Sequence, residues 1–231
     1  MKTLIQLIKF LRERKREFAK MHHLETQEIV DDLYAIKTKN ANFYVVRYDD
    51  GFIAIDAGGG NKNIAKTELG KLNIDPAKIT TVLLTHSDFD HIAALDLFKN
   101  ATIYLAKEEL KVIDGSTPRM FGFNNSLKHT YSVIENDKEM RFGSLSVKPI
   151  LTPGHTIGSM CYLLDNQYLF TGDTLGLNNG KAQLFSDLFN MDTEAQEISL
   201  NHLAQIENVA YIFTSHHGFT DKPKEALTHF R

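Results

Sequence analysis

The run Thr85-His86-Ser87-Asp88-Phe89-Asp90-His91 places two imidazoles and two carboxylates within seven residues, directly after the apolar stretch Thr81-Val82-Leu83-Leu84. Polar groups this dense at the end of a strand-like segment are costly to bury unless positive charge sits among them. A pair of metal ions meets that need. Three further motifs, each after an apolar run, supply matching donors: Thr152-Pro153-Gly154-His155, Thr171-Gly172-Asp173-Thr174 and Ser215-His216-His217-Gly218.

In a tight turn at a strand end, His86 with Asp88 can face one ion while Asp90 with His91 faces a neighbour. His155, Asp173 and His216 complete the two sets. Zinc and related ions accept imidazole nitrogen and carboxylate oxygen at about 2.0–2.2 Å. A carboxylate such as Asp173 can bridge two ions about 3.5–4 Å apart, and a water shared by both loses a proton near neutral pH. The resulting hydroxide needs no side-chain nucleophile, and the chain offers none. There is no Gly-x-Ser-x-Gly run, and Cys161 lies in the strand-like Met160-Cys161-Tyr162-Leu163-Leu164, where it reads as a small buried hydrophobe. His216 directly follows its strand and is preferred to His217 as the last donor. His22, His23, His129, His202 and His229 lack such settings and are expected at the surface. Thr85 and Thr156 suit either hydrogen bonds behind the donors or ordinary turn positions.

The elements that must position these groups alternate along the chain. Strands are expected over 33–36, 42–46 and 52–55, with Asp49-Asp50-Gly51 as a tight turn. Ile55-Asp56-Ala57-Gly58-Gly59-Gly60 ends a strand in a glycine loop; no Walker-type lysine follows, so it argues only weakly for phosphate. A helix over 61–72 and a buried strand over 80–84 come next. A further helix is expected to start in or just after the histidine cluster and run through Ala93, Leu95 and Phe98. After a strand over 102–105 and a helix over 106–113, residues 114–130 form a loop-like insertion carrying Met120, Phe121 and Phe123. It reads equally as a substrate lid or a loop pinned by aromatic packing. Strands and turns dominate 131–170, and 176–190 looks irregular. Helices over 192–206 and 223–230 flank a strand over 211–214. Phe121, Phe123, Leu184, Phe185, Leu188, Phe189 and Met191 could form an apolar wall beside the donors.

Taken together, the motifs resemble those of the metallo-β-lactamase-fold hydrolases. His86-Ser87-Asp88-Phe89-Asp90-His91, Pro153-Gly154-His155-Thr156, Thr171-Gly172-Asp173-Thr174 and the late His216 agree in order and spacing, and Asp56 matches a strand-end aspartate common in that family. The resemblance covers residues from about 28 to 222. It implies an α/β fold, a four-layer αββα sandwich with the metals at one edge, here with an extra N-terminal helix. It also implies roles: His86, Asp88 and His155 on the first ion, Asp90, His91 and His216 on the second, and Asp173 bridging, with Asp90 and Asp173 serving catalysis. Zinc is the expected metal. The family most often has histidine at the position of Asp88, and an aspartate there makes the first site harder, which favours manganese or iron. The reaction implied is hydrolysis of a small-molecule ester, thioester, lactone or phosphodiester. The alternative is a phosphodiesterase or nuclease-like hydrolase. A di-iron oxidoreductase would bring a fused flavin domain and a glutamate-bearing motif, which are not seen, and a non-catalytic binding protein would have no need of seven donors. Hydroxyacylglutathione hydrolases share the His155 and Asp173 motifs, but usually carry histidine at Asp88 and a helical C-terminal extension.

Bulk properties narrow the partners. The 231 residues suffice for one domain or a tightly joined pair, and 42% hydrophobic with 24% charged residues is ordinary for a globular chain. Lys+Arg 26 against Asp+Glu 29 leaves a net charge of −3, so no nucleic acid is expected to be held by bulk electrostatics. A single cysteine excludes an internal disulfide, and no good secretory signal is seen; both point to the cytoplasm. Residues 1–24 read as a basic amphipathic helix, with Leu4, Ile5, Leu7, Ile8 and Leu11 set among seven lysines and arginines. It could pack on its own domain, join a homodimer, or rest on an anionic membrane surface. Residues 25–231 would be the hydrolase domain, with a small molecule as its partner.

Overall fold

The computed structural model describes residues 2–49, 51–119 and 125–231, the side chains of 2–7 and 9 excepted. Strands β1 (Gln27–Val30), β2 (Leu33–Lys37), β3 (Asn42–Tyr48), β4 (Gly51–Ile55), β5 (Ile79–Leu83), β6 (Thr102–Ala106) and β7 (Ser132–Ile134) form one sheet in chain order. The pairs from β1 to β4 are antiparallel and those from β4 to β7 parallel. The second sheet contains β8 (Met140–Phe142), β9 (Leu145–Leu151), β10 (Met160–Leu164), β11 (Tyr168–Phe170), β14 (Tyr211–Phe213) and β15 (Phe219–Thr220), in the order β15-β14-β11-β10-β9-β8. A hairpin of β12 (Gly176–Asn178) and β13 (Lys181–Gln183) stands apart. The helices are α1 (Lys2–Lys20), α2 (Lys62–Lys71), α3 (Phe89–Ile92), α4 (Leu110–Ile113), α5 (Thr193–Leu203) and α6 (Pro223–Ala226).

Why the sheets stack follows from strand periodicity. The strands are apolar on both faces, and their period of two sorts the side chains into two layers. Leu33, Ala35, Tyr44 and Ile53 point inward, into a core shared with Tyr162 and Phe213 of the second sheet. Tyr34, Ile36, Phe43 and Val45 point outward, against Leu69 of α2 and Phe98. In β10, Tyr162 and Leu164 join the inner core, while Cys161 and Leu163 face Leu200 and Leu203 of α5. The layers therefore run helix, sheet, sheet, helix, as the sequence motifs imply. Two tyrosines tie the sheets together near the site. Tyr44 Oη donates to Thr214 O and Tyr162 Oη to Leu84 O, each at 2.7 Å.

Several elements differ from the sequence expectation. The helix after the histidine cluster stops at Ile92 and resumes only as a 3-10 turn, Leu95–Leu97. Its backbone is captured by the glycine loop: Ala57 N donates to His91 O (2.7 Å) and Ala93 N to Gly58 O (3.0 Å), so the helical ladder cannot continue. The stretch expected to be irregular holds the β12–β13 hairpin, whose Asn179-Gly180 turn has positive φ at both positions (50° and 75°), the signature of a type I′ turn. The final helix is short, Pro223–Ala226 followed by a 3-10 turn, Thr228–Phe230. Met120, Phe121 and Phe123, like Asp50 of the expected turn, lie outside the described residues. No helix among the described residues is long and apolar enough to cross a membrane.

Candidate metal centre

Parallel strands present functional groups at their carboxyl ends, where the connections diverge. Here Asp56 follows β4, the run from Thr85 to His91 follows β5, Asp173 follows β11, and Ser215-His216 follows β14. His155 comes from the turn between β9 and β10. The structure brings all seven expected donors to one edge between the sheets. Three groupings place ligand atoms within 4.8 Å of one another: His86, Asp88 and His155; His86, His91 and Asp173; and Asp90, His91 and His216. Asp173 lies between the sets. Its Oδ1 is 3.2 Å from His216 Nε2 and 3.5 Å from His91 Nε2, and its Oδ2 is 3.4 Å from His155 Nε2. His217 turns away, its ring packed against Phe185 and His22 at 5.8 and 5.7 Å.

Hydrogen bonds behind the site fix which nitrogen of each ring is available. Asp56, buried at the end of β4, accepts from Thr85 N (2.7 Å), Thr85 Oγ1 (2.8 Å) and His91 Nδ1 (2.8 Å). His91 thus carries its proton on Nδ1 and turns the Nε2 lone pair into the site. Thr85 has spent its one hydroxyl proton on Asp56, so its oxygen accepts from His86 Nδ1 at 3.0 Å. That leaves the His86 Nε2 lone pair facing the site as well. His86 Nε2, His91 Nε2 and Asp173 Oδ1 are buried with no hydrogen-bond partner. With the rings neutral, three partnerless acceptors this close are a strong desolvation cost that a cation removes. A divalent ion fits this donor set.

The titration of the groups tells the same story. Burial disfavours ionisation of Asp173, yet His216, His91 and His155 around it hold its carboxyl well below the usual range. Burial likewise opposes charge on His91, but Asp173 and Asp56 raise it well above an ordinary imidazole, and Asp173 raises His216. Without an ion, protons on these rings neutralise the carboxylates.

The Asp88 corner is arranged differently. Arg119, only 7% exposed, donates to Asp88 through Nε (2.9 Å to Oδ1) and Nη2 (2.7 Å to Oδ2), and Nη2 also reaches His155 Nε2 at 2.9 Å. Asn125 Nδ2 donates to Asp88 Oδ1 at 2.7 Å. Burial, then the charge of Arg119, lowers His155 to about 4, so the ring is neutral at pH 7. Burial raises the Asp88 carboxyl, but its neighbours His86 and Arg119 outweigh it and leave it well below the usual range.

Other supporting residues carry no local signal in the sequence. Glu109 is fully buried and accepts from Ser87 N (2.9 Å), Ser87 Oγ (2.6 Å), Thr156 Oγ1 (2.6 Å) and Gly158 N (3.2 Å). It stitches the loop bearing Asp88 to the loop bearing His155. His23, expected at the surface, is half-buried with its ring 5.8 Å from that of His216, and its Nε2 bonds Asn40 O at 2.6 Å. The glycine loop serves close approach. A Cβ on Gly59 would lie 2.8 Å from Asp90 Cβ, and one on Gly172 (φ 52°) would lie 2.5 Å from Thr85 Oγ1. Cys161 is buried and its thiol is pushed up to about 11, in keeping with a packing role.

A cavity of about 410 Å³ opens onto the donors Asp88, Asp90, His155, Asp173 and His216. Of the apolar residues expected as its wall, Phe185 and Phe189 line it, whereas Leu184, Leu188 and Met191 do not, and Phe121 and Phe123 lie outside the described residues. Phe10, Arg14 and Phe18 of α1 complete the wall with Met21 and Phe89. The Phe18 ring meets Phe189 edge-on at 5.6 Å, and His22 N donates to His216 O at 2.9 Å. The N-terminal helix therefore packs on its own chain, over the cavity.

Comparison with known proteins agrees with this architecture. A family model described as the metallo-beta-lactamase superfamily matches residues 37–216. A probable metallo-hydrolase of Methanocaldococcus jannaschii is 30% identical over 164 residues, 71% of this chain and 69% of that protein. A hydroxyacylglutathione hydrolase of Bartonella tribocorum is 29% identical over 150 residues, 64% of this chain but only 53% of that protein, so the match spans about half of its length. The crystal structure of a metallo-beta-lactamase family protein from Thermus thermophilus superposes with a TM-score of 0.69 at 16% identity, over 87% of this chain and 79% of that one. With the ordered donors, the layered sheets and the match over most of its length, this chain belongs to the metallo-beta-lactamase superfamily.

Proposed function

We propose that this metallo-hydrolase cleaves ester-type bonds in small molecules, carboxylic esters, thioesters or lactones, whose leaving or acyl part is apolar and whose other end is anionic. The observation that carries this reading is the set of partnerless donors, His86 Nε2, His91 Nε2 and Asp173 Oδ1, of which Asp173 lines a cavity walled by phenyl rings. His86, His91 and Asp173 would hold the ion. An imidazole-rich set favours zinc, with manganese or iron as alternatives. A divalent ion there supplies acidification of a water and polarisation of the scissile carbonyl.

The protein's own groups do the rest. Asp56 and Thr85 keep the His91 and His86 lone pairs directed inward. Asp173 stays ionised. Asp90 lines the cavity and is partly exposed; it is positioned to take the proton of the attacking water and return it to the leaving group. Phe185, Phe189 and Phe18 exclude bulk water and bind the apolar part of the substrate. Arg14, above the Phe18 ring at 5.4 Å, has no carboxylate partner among the described residues and would meet the anionic end. The relative named for hydroxyacylglutathione, a thioester, supports this bond class.

The test is a panel of chromogenic esters, thioesters, lactones and bis-phosphodiesters, assayed with metal-stripped and zinc-reloaded protein. Turnover of the carbonyl substrates should depend on the metal, vanish in Asp173→Ala and survive in His129→Ala. Turnover of phosphodiesters alone would replace this reading with the phosphodiesterase one.

A further inference from the structure

The seven donors do not form a uniform set. His86, His91 and Asp173 offer atoms that nothing satisfies, whereas the Asp88 corner is already engaged. Both carboxylate oxygens of Asp88 accept from Arg119, and Oδ1 accepts from Asn125 as well. His155 turns Nδ1 toward Asn190 Oδ1 at 3.4 Å, which leaves Nε2 as its one lone pair, and Arg119 Nη2 donates to that nitrogen at 2.9 Å. An imidazole nitrogen has a single in-plane lone pair. It cannot accept an N–H and bind an ion at the same time. A bidentate guanidinium–carboxylate pair is also among the strongest side-chain contacts, and this one is nearly buried.

We propose that the Arg119 guanidinium is the resident cation of the Asp88–His155 corner, so that the protein holds one divalent ion, at His86, His91 and Asp173, in place of the two expected from the sequence. This inference rests on reading the pocket as a metal centre. Asn125 fixes the far side of Asp88 and so orients the carboxylate toward the guanidinium. Removal of Arg119 frees the Asp88 oxygens and the His155 lone pair together, and a second ion then has donors in Asp88 and His155, with Asp173 Oδ2 3.4 Å from His155 Nε2.

The experiment is a stoichiometry measurement that does not depend on turnover. Chelator-stripped full-length protein is titrated with Co²⁺; the bound ion is counted by mass spectrometry after gel filtration, and the visible spectrum is followed. Wild type should saturate at one equivalent and Arg119→Ala at two, with a second set of absorption bands. Asp88→Asn should stay at one equivalent, and it decides the matter if Arg119→Ala does not fold. Wild type binding two equivalents, Arg119→Ala staying at one, or Asp88→Asn falling below wild type would each overturn the assignment. Wild type that binds no ion would overturn the metal-centre reading itself, a failure distinct from the others.

Discussion

Replacing Asp56 by asparagine isolates the part of the account that concerns proton placement. The backbone tolerates the change, because Asp56 has φ of 65° and asparagine adopts that left-handed region readily. The asparagine oxygen can still accept from Thr85 N. Its amide, however, puts N–H donors where the carboxylate accepted from His91 Nδ1 and Thr85 Oγ1. His91 must then carry its proton on Nε2, the atom facing Asp173 at 3.5 Å. Thr85, now accepting from the amide, turns its own proton toward His86 Nδ1 and moves the His86 proton to Nε2 as well. Two lone pairs leave the site through one substitution. Loss of such an orienting group costs about 10- to 100-fold in metal affinity, about 1.4–2.8 kcal/mol, and two rings at stake put Asp56→Asn at the upper end. The assay is competition for zinc with a chromophoric chelator, with circular dichroism to verify the fold. A folded Asp56→Asn protein that binds zinc as tightly as wild type would refute the tautomer argument.

Three further outcomes follow from the same geometry. Glu109→Ala strips the acceptor from two buried backbone N–H groups and two hydroxyls, so it should lower unfolding stability by about 3–5 kcal/mol; a urea denaturation curve shifted by less than about 1 kcal/mol would show that the carboxylate does not join the two loops. Metal affinity should fall as pH falls, because His91, raised well above an ordinary imidazole, must lose a proton to bind an ion; the apparent dissociation constant should still change by about tenfold per pH unit above the ordinary imidazole range, and a flat profile there would contradict the shift. For the metal-free protein the sign is opposite: a raised imidazole stabilises the fold below its unfolded value, and that stability is lost as pH rises through the folded one. Arg14→Ala should raise KM for substrates with a carboxylate about tenfold while leaving KM for neutral esters unchanged; equal effects on both would remove Arg14 from anion recognition.

The donors were legible in the sequence because each is a polar residue placed at the end of an apolar strand, where its chemistry stands out from its surroundings. The sandwich was legible through the resemblance of those motifs. What the chain conceals are groups that act across long sequence distances. Arg119 stands in a glycine- and proline-containing stretch with no periodicity, and its partner Asp88 is 31 residues away. Glu109 looks like one charge of a surface helix, yet it bonds residues 22 and 47 positions distant. Phe10 and Phe18 are not among the apolar residues that marked the N-terminal helix as amphipathic, and only the packing of α1 places them in the cavity wall. The broken helix after His91 has the same origin, since its backbone is claimed by the glycine loop after β4. The β12–β13 hairpin is the exception: its Asn179-Gly180 turn was a readable local signal in a stretch that otherwise looked irregular.

The central claim is that a divalent cation belongs among His86, His91 and Asp173. Anomalous diffraction from crystals of zinc-loaded protein, measured on both sides of the zinc absorption edge, tests it most directly. A strong peak within bonding distance of His91 Nε2 and an Asp173 oxygen is the expected result. A map with no peak at those donors, from protein shown to contain zinc, would contradict the account.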